Sequence, residues 1–332
     1  MANLYVTEQG AVLRKTGDRV IVEKDDKVLL DVQCSQIDAV LLFGNVQFTT
    51  QVVYKLFEHG IEMALLTRTG RLIGQITSQF PKNIELRYAQ FKKYDDLPFR
   101  LMLSKILVNG KITNSLNLIR NFSYNHPEID LKEIVNRLES SLRQIDQAQD
   151  LSTLLGIEGH GATIYFQGYG KMILSSFTFT GRKKRPPPDP VNALLSFGYT
   201  LIYNEISSLL DGLGFDPYLG YFHHIDYGRA SLACDIQEEF RPFIDRFTLY
   251  LINNKVLQNK DFYTNPKGGG VYLKQDSMKR YFVQYERYLN QDFTRSDLIE
   301  VTNLRKCFRT QAEKMAKFIQ DGSLYTPLKL QI

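Results

Sequence analysis

A change in hydrophobic period near Pro81 constrains this chain more than any other feature of its sequence. Before it, short β-branched runs alternate with turn signals. LYVTEQ, AVLRK, RVIVEK, KVLLDVQ and AVLLFG are divided by Gly10, by Thr16-Gly17-Asp18 and by Lys24-Asp25-Asp26-Lys27, the pattern of half-buried strands. After it, NIELRYAQFKKY, FRLMLSKILVNGKITNSLNLIRNF and DLKEIVNRLESSLRQIDQ place apolar residues at every third or fourth position, which gives a helix one stripe to turn toward a core. The periods predict an α+β chain of two domains. A small N-terminal antiparallel β domain with one helix spans residues 1–80, and a larger all-α domain spans 81–332. The boundary falls near residues 78 to 82, where Ser78, Pro81 and Lys82 separate the last strand from the first long helix. The single helix of the β domain is TTQVVYKLFE, with Val52, Val53, Leu56 and Phe57 at helical spacing, Thr residues in front to cap it and His59-Gly60 to end it. It is read as covering one face of the sheet, with IEMALL and RLIGQI returning as strands.

Composition sets outer limits. A chain of 332 residues, 43% hydrophobic and 23% charged, has enough apolar material for two cores. A formal charge of +5 indicates a nucleic-acid partner only if the cations cluster. The three cysteines, Cys34, Cys234 and Cys307, are far apart and form no C-x-x-C, so neither a disulfide framework nor a thiolate metal site is expected. No apolar run approaches the roughly 18 residues of a membrane span, and MANLYVTEQG lacks the charged-then-apolar order of a signal peptide. The expectation is a cytoplasmic protein without a membrane partner.

Chemistry concentrates in three places. The segment YLGYFHHIDYGRASLACDIQEEFRP, residues 218 to 242, combines His223 and His224 with Asp235, Glu238 and Glu239, the raw material of a divalent-metal site. The acids lie three and four residues apart, so they occupy neighbouring faces of one helical turn. They are either a ligand with its supporting carboxylate or simply the acidic start of a helix that Pro242 then kinks or ends. The second place is a helix read over Leu151 to Leu174. Gly156, Gly159 and Gly161 each cost roughly 1 kcal/mol relative to Ala there, which close approach of another backbone or of a ligand would offset. Glu158 is the only acid between Gly156 and Leu174. It is either a ligand or a carboxylate favoured by the helix dipole, while His160 points off its face and is read as structural. The third place is GRKKRPPPDP. Its cations Arg182, Lys183, Lys184 and Arg185 are held out of the preceding helix by the prolines, either as a solvated loop or as a strap for a phosphate backbone.

The ordered pieces GIEG at 156 to 159, RKKRPPPDPVNALLSFGY at 182 to 199, GFDPYLGYFH at 214 to 223 and GRASLACDIQEEFRP at 228 to 242 carry a resemblance. The chain is similar to the CRISPR-associated protein one family, the integrase of spacer acquisition. VLLFGNVQFTTQVVYKLFEHGIEM, GKITNSLNLIR and LRKCFRTQAEKMAKFIQDGSLYTPL extend the resemblance over nearly the whole chain.

The resemblance implies that the helical domain is catalytic and that the chain forms a homodimer largely through its N-terminal domains. It also implies a metal-dependent DNA endonuclease and integrase that inserts captured fragments into the repeat array by attack of a 3′-hydroxyl on a phosphodiester. Carried over residue by residue, Glu158, His223 and Glu238 become the metal ligands and catalytic residues. The spacing from His223 to Glu238, which keeps Gly228-Arg229 in register, selects His223 over His224. Asp235, Tyr165 and Asn192 fall in matching motifs as candidates for positioning substrate, and Arg182, Lys183, Lys184 and Arg185 as candidates for binding DNA. Two carboxylates and an imidazole without thiolate suit Mg²⁺ or Mn²⁺. The implied partners are double-stranded DNA (protospacer and CRISPR repeat), branched DNA and CRISPR-associated protein two. Two other readings share these residues: a structure-specific nuclease acting on branched DNA in repair, and a DNA-binding scaffold that keeps the fold without the chemistry.

Overall fold

The computed structural model describes residues 2–77, 83–183, 186–266, 268–295 and 300–330. Lys184 and Arg185 of the basic segment, and the expected boundary at 78 to 82, lie outside the described residues. The chain divides into two compact units, Met1–Phe80 with Leu273–Arg287, and Pro81–Tyr272 with Tyr288–Ile332. Residues 273–287, which the sequence reading assigned to the helical domain, therefore belong to the first unit.

In the first unit the strands are β1 (Ala2–Val6), β2 (Val12–Thr16), β3 (Arg19–Lys24), β4 (Lys27–Gln33), β5 (Ile37–Phe43) and β6 (Gln47–Phe48). Helix α1 (Thr50–Glu58) follows, then β7 (Glu62–Leu66) and β8 (Leu72–Ile76). The hairpin between β3 and β4 turns on Asp25 and Asp26, both at positive φ, the conformation a tight two-residue turn requires. One sheet has the order β4-β3-β2-β6 and the other β1-β5-β7-β8. The expected antiparallel domain is in fact mixed, because β1 and β7 both pair with β5 in parallel and β2 pairs with β6 in parallel. Parallel neighbours need a crossover, and α1 supplies the one between β5 and β7. Thr49 caps it, its side chain accepting from the Val52 amide at 3.3 Å, and Val52 and Leu56 drop into a core with Leu13, Val20 and Val40. Residues 273–287 join this unit through aromatic packing: the Phe282 ring stacks on Tyr5 at 4.1 Å and tilts against Phe43 at 5.4 Å.

The second unit is built on α2 (Ile84–Tyr94), α3 (Leu97–Asn125), α4 (Lys132–Ile145), α5 (Leu151–Lys171), α6 (Pro190–Leu213) and α7 (Ser231–Asn253). After these come β9 (Phe262–Thr264), β10 (Val271–Leu273), β11 (Phe293–Arg295), β12 (Glu300–Thr302) and α9 (Leu304–Asp321), while α8 (Gln275–Asn290), between β10 and β11 in the chain, belongs as far as Arg287 to the first unit. The two ribbons β9-β10 and β11-β12 depart from the expected all-α region, at segments too short for a period to register. Helix α7 is buried along nearly its whole length, with α3 and α6 packed against it and α5 against α3. Pro242 neither ends nor replaces α7 but lies inside it, removing the backbone donor that would have bonded the Glu238 carbonyl. No helix among the described residues is long and apolar enough to cross a membrane.

Candidate active site

Three helices of the second unit bring charge to one place. Asp150 starts α5 by accepting from the Thr153 amide at 2.8 Å, and two turns later Glu158 faces α3. There it meets the ammonium of Lys111, which is hydrogen-bonded to Glu158 Oε1 and lies 2.6 Å from Glu238 Oε2 on α7. All three side chains are largely buried. Lys111 thereby pairs with both buried carboxylates.

His223 reaches the same spot from the loop before α7. Its Nε2 is 3.8 Å from Glu238 Oε1 and its Nδ1 is 2.7 Å from Asp235 Oδ1. The fully buried Asp235 also accepts from the backbone amides of Tyr221 at 2.6 Å, Phe222 at 3.0 Å and His223 at 3.0 Å. All of its capacity is therefore spent on this loop. Asp235 is a buttress that fixes the His223 ring through Nδ1 and so turns Nε2 toward Glu238. His224 is exposed, with its carbonyl accepting from Ser231 Oγ at 2.9 Å.

Helical spacing on α7 sorts its remaining charges. Arg241, one turn beyond Glu238, donates from Nε to Oε1 at 2.8 Å and stacks its guanidinium 4.5 Å from the centre of the Tyr199 ring. Burial opposes ionisation of Glu238, but Arg241, Lys111 and His223 outweigh it and hold its carboxyl well below the usual carboxylate range. The same two carboxylates overcome the burial of Lys111 and raise its pKa, keeping it an ammonium. Glu239 turns the opposite way, accepting from Tyr325 Oη at 2.6 Å and from the Leu328 amide at 2.6 Å, and so ties down the C-terminal segment.

Behind the carboxylates lies a second polar layer. Tyr165 donates to Asp245 Oδ2 at 2.7 Å and Tyr199 donates to Oδ1. Burial pushes Asp245 up to about 6, against the pull of both hydroxyls and of Arg241 and Arg182. The Tyr165 hydroxyl is thus committed to a carboxylate. Asn192 is likewise a loop organiser: its Oδ1 accepts from the Lys183 amide and from Arg182 Nη1, both at 2.9 Å, and its Nδ2 donates to the Gly181 carbonyl at 3.0 Å. Arg182, expected in a solvated loop or on a strap for a phosphate backbone, points inward, with Nη2 donating to Ser196 Oγ at 3.0 Å and the guanidinium 5.4 Å from the centre of the Tyr199 ring. Asn192 and Ser196 on α6 offer this cation acceptors that water would otherwise supply. Lys183 is exposed. The sequence reading placed neither Lys111, one of several cations on helices, nor Arg241 in the site, because a cation in a helix pattern carries no mark of burial. The position of Arg241 one turn beyond Glu238 was the available signal.

A cavity of about 860 Å³ opens over these groups, lined among others by Lys111, Glu158, His223, Arg229, Glu238 and Arg241. Among the described residues no three His, Cys, Asp or Glu side chains stand together as a metal-holding group; here Lys111 separates the two carboxylates. The donor chemistry nevertheless fits a hard divalent cation. Glu158 and Glu238 already converge on a single positive charge, and Asp235 turns Nε2 of His223 toward the same place.

Comparison with known proteins places these features in a family. The model of the family "CRISPR associated protein Cas1" matches residues 4–287. A CRISPR-associated endonuclease Cas1 of Thermodesulfovibrio yellowstonii is 34% identical over 299 residues, 89% of this chain and 93% of that protein. A solved Cas6-RT-Cas1–Cas2 complex contains a chain 26% identical to this one, with a TM-score of 0.83 over 99% of this chain and 36% of that one. A casposase bound to its integration product shares the fold, with a TM-score of 0.87 at 19% identity, covering 98% of this chain and 92% of that one.

Proposed function

This chain belongs to the Cas1 family of CRISPR-associated proteins, and on that premise we propose that it is a divalent-metal-dependent DNA endonuclease and integrase of spacer acquisition. One observation carries the reading: carboxylates from α5 and α7, Glu158 and Glu238, converge on a single cation position beside the Nε2 of His223, at the wall of a cavity of about 860 Å³. The Cas1 relatives named as endonucleases and the casposase captured with its integration product support the same class of reaction.

Glu158, Glu238 and His223 would hold the metal. A bound Mg²⁺ or Mn²⁺ would lower the pKa of an attacking hydroxyl and stabilise charge on the phosphoryl and departing oxygens. The protein's own residues prepare that position. Asp235 holds the His223 ring by Nδ1 and turns Nε2 toward Glu238, Arg241 helps keep Glu238 ionised, and Arg229 adds positive charge along the cavity. In integration the 3′-hydroxyl oxygen of a captured fragment forms a new bond to phosphorus while the bond from that phosphorus to a 3′-oxygen of the repeat strand breaks. The proton lost by the nucleophile is matched by one gained on the leaving oxygen, so no protein nucleophile is required. With water as nucleophile the same displacement is hydrolysis.

The partners in this reading are double-stranded and branched DNA, Cas2 and a second copy of the chain. Support for a Cas2 partner comes from the Cas1–Cas2 complex that contains a similar chain. Support for the second copy comes from the edge strand β4, which exposes Val28, Leu29 and Leu30 together, an edge of the kind that pairs with another chain. The test is strand transfer of a labelled fragment into supercoiled repeat DNA with Mn²⁺ and Cas2. The native protein yields joined product and the single variants Glu158→Ala and His223→Ala fall to background; transfer that survives both substitutions together overturns the reading.

A further inference from the structure

In the position between the two carboxylates stands Lys111. It is the cation that Glu158 pairs with, and it shares Glu238 with Arg241, so two buried carboxylates are balanced by two cations. A divalent ion entering beside Lys111 would meet an ammonium already in contact with both of its oxygen ligands, and like charges that close in a buried site repel strongly. The contacts that hold the Lys111 ammonium there are those to Glu158 and Glu238, the groups a divalent ion would itself bind. Lys111 also has somewhere to go. Its side chain lines the cavity of about 860 Å³, and a flexible four-carbon stem lets the ammonium swing while its helix stays in place.

Resting on the metal-site reading above, we infer that Lys111 is a built-in counter-cation that fills the divalent-metal position and withdraws into the cavity when the metal enters. Three consequences follow for the chain itself. The two carboxylates are held together in the absence of metal, their mutual repulsion quenched. Metal affinity is set low, because each binding event must displace an internal competitor. The ammonium becomes accessible only in the loaded state.

The test uses the full chain and Mn²⁺ alone, without DNA. Calorimetric titration of Lys111→Gln gives a Mn²⁺ affinity roughly tenfold or more above that of the native protein, the size of an ordinary coupling between two ligands, whereas Lys111→Arg, which keeps the charge, gives no gain. In the native protein, an amine-acylating reagent read out by mass spectrometry modifies Lys111 slowly in chelator and faster in saturating Mn²⁺. Equal or weaker binding by a cooperatively melting Lys111→Gln, with Lys111 equally protected in both conditions, overturns the inference. Should Lys111→Gln fail to melt cooperatively, the labelling of the native protein decides: acceleration by Mn²⁺ supports displacement and no change refutes it. Native protein whose Mn²⁺ binding is absent, or unaffected by Glu158→Ala, would instead remove the metal-site reading and this inference with it.

Discussion

Asp235 shows how much one buried carboxylate can organise. Its two oxygens take three backbone amides and one imidazole N–H, so Asp235→Ala releases the ring of His223 and leaves buried donors unpaired. Loss of such a support to a metal ligand costs about 10- to 100-fold in metal affinity, and calorimetric titration with Mn²⁺ checks it. Asp235→Asn keeps the shape but cannot accept from every donor, so its loss is smaller. Residue types and spacing made Glu158, His223, Asp235 and Glu238 visible as candidates in the sequence. Their division of labour was not visible, since an acid three residues from another on a helix can face the same cavity or a neighbouring loop. Lys111 was illegible for a related reason: only the approach of α5 and α7 to α3 turns an ordinary helical lysine into a buried one.

Helix α5 decides one half of the reading of its glycines. No other backbone approaches the three near Glu158: a Cβ at Gly156 or Gly159 would meet nothing within 4 Å, and at Gly161 it would meet the side chains of Ile112 at 3.1 Å and Ser141 at 3.9 Å, while Gly159 and Gly161 line the cavity. The tight glycine is Gly168, where a Cβ would lie 2.8 Å from Ile134 and 3.0 Å from Ile119. Gly156→Ala therefore stabilises the protein by about 0.5–1 kcal/mol, while Gly168→Ala destabilises it; paired urea melts at constant pH separate the two. Helices were well signalled where the period is clean, as in α3 and α4, whereas α7 is buried along nearly its whole length and holds Pro242, so its extent was left open. Pairing was not signalled. Alternation marks a strand but not its neighbour, so the parallel partners of β5 and β2 had to come from the fold, as did the placement of residues 273–287 against Tyr5 and Phe43.

At the scale of the whole molecule, Asp245 links stability to pH. Its carboxyl titrates at about 6 in the folded protein against an ordinary 3.8, so the folded state keeps a proton that the unfolded chain has released. The contribution is fully present below the unfolded value and is lost as pH rises through about 6. Asp245→Asn removes this titration, and its melting temperature relative to the native protein rises between pH 4 and pH 7; a flat difference contradicts the assignment. Association is the second property at this scale. Placing a charge on the exposed edge, as in Val28→Lys, weakens self-association in sedimentation velocity if β4 pairs between copies, and leaves it unchanged otherwise. The central claim concerns one position in space, and anomalous X-ray scattering from Mn²⁺-soaked crystals tests it most directly. The account predicts a manganese peak about 2.1 Å from carboxylate oxygens of Glu158 and Glu238 and close to Nε2 of His223, with Lys111 moved aside. A peak elsewhere, or none while Lys111 still bridges the two carboxylates, would contradict it.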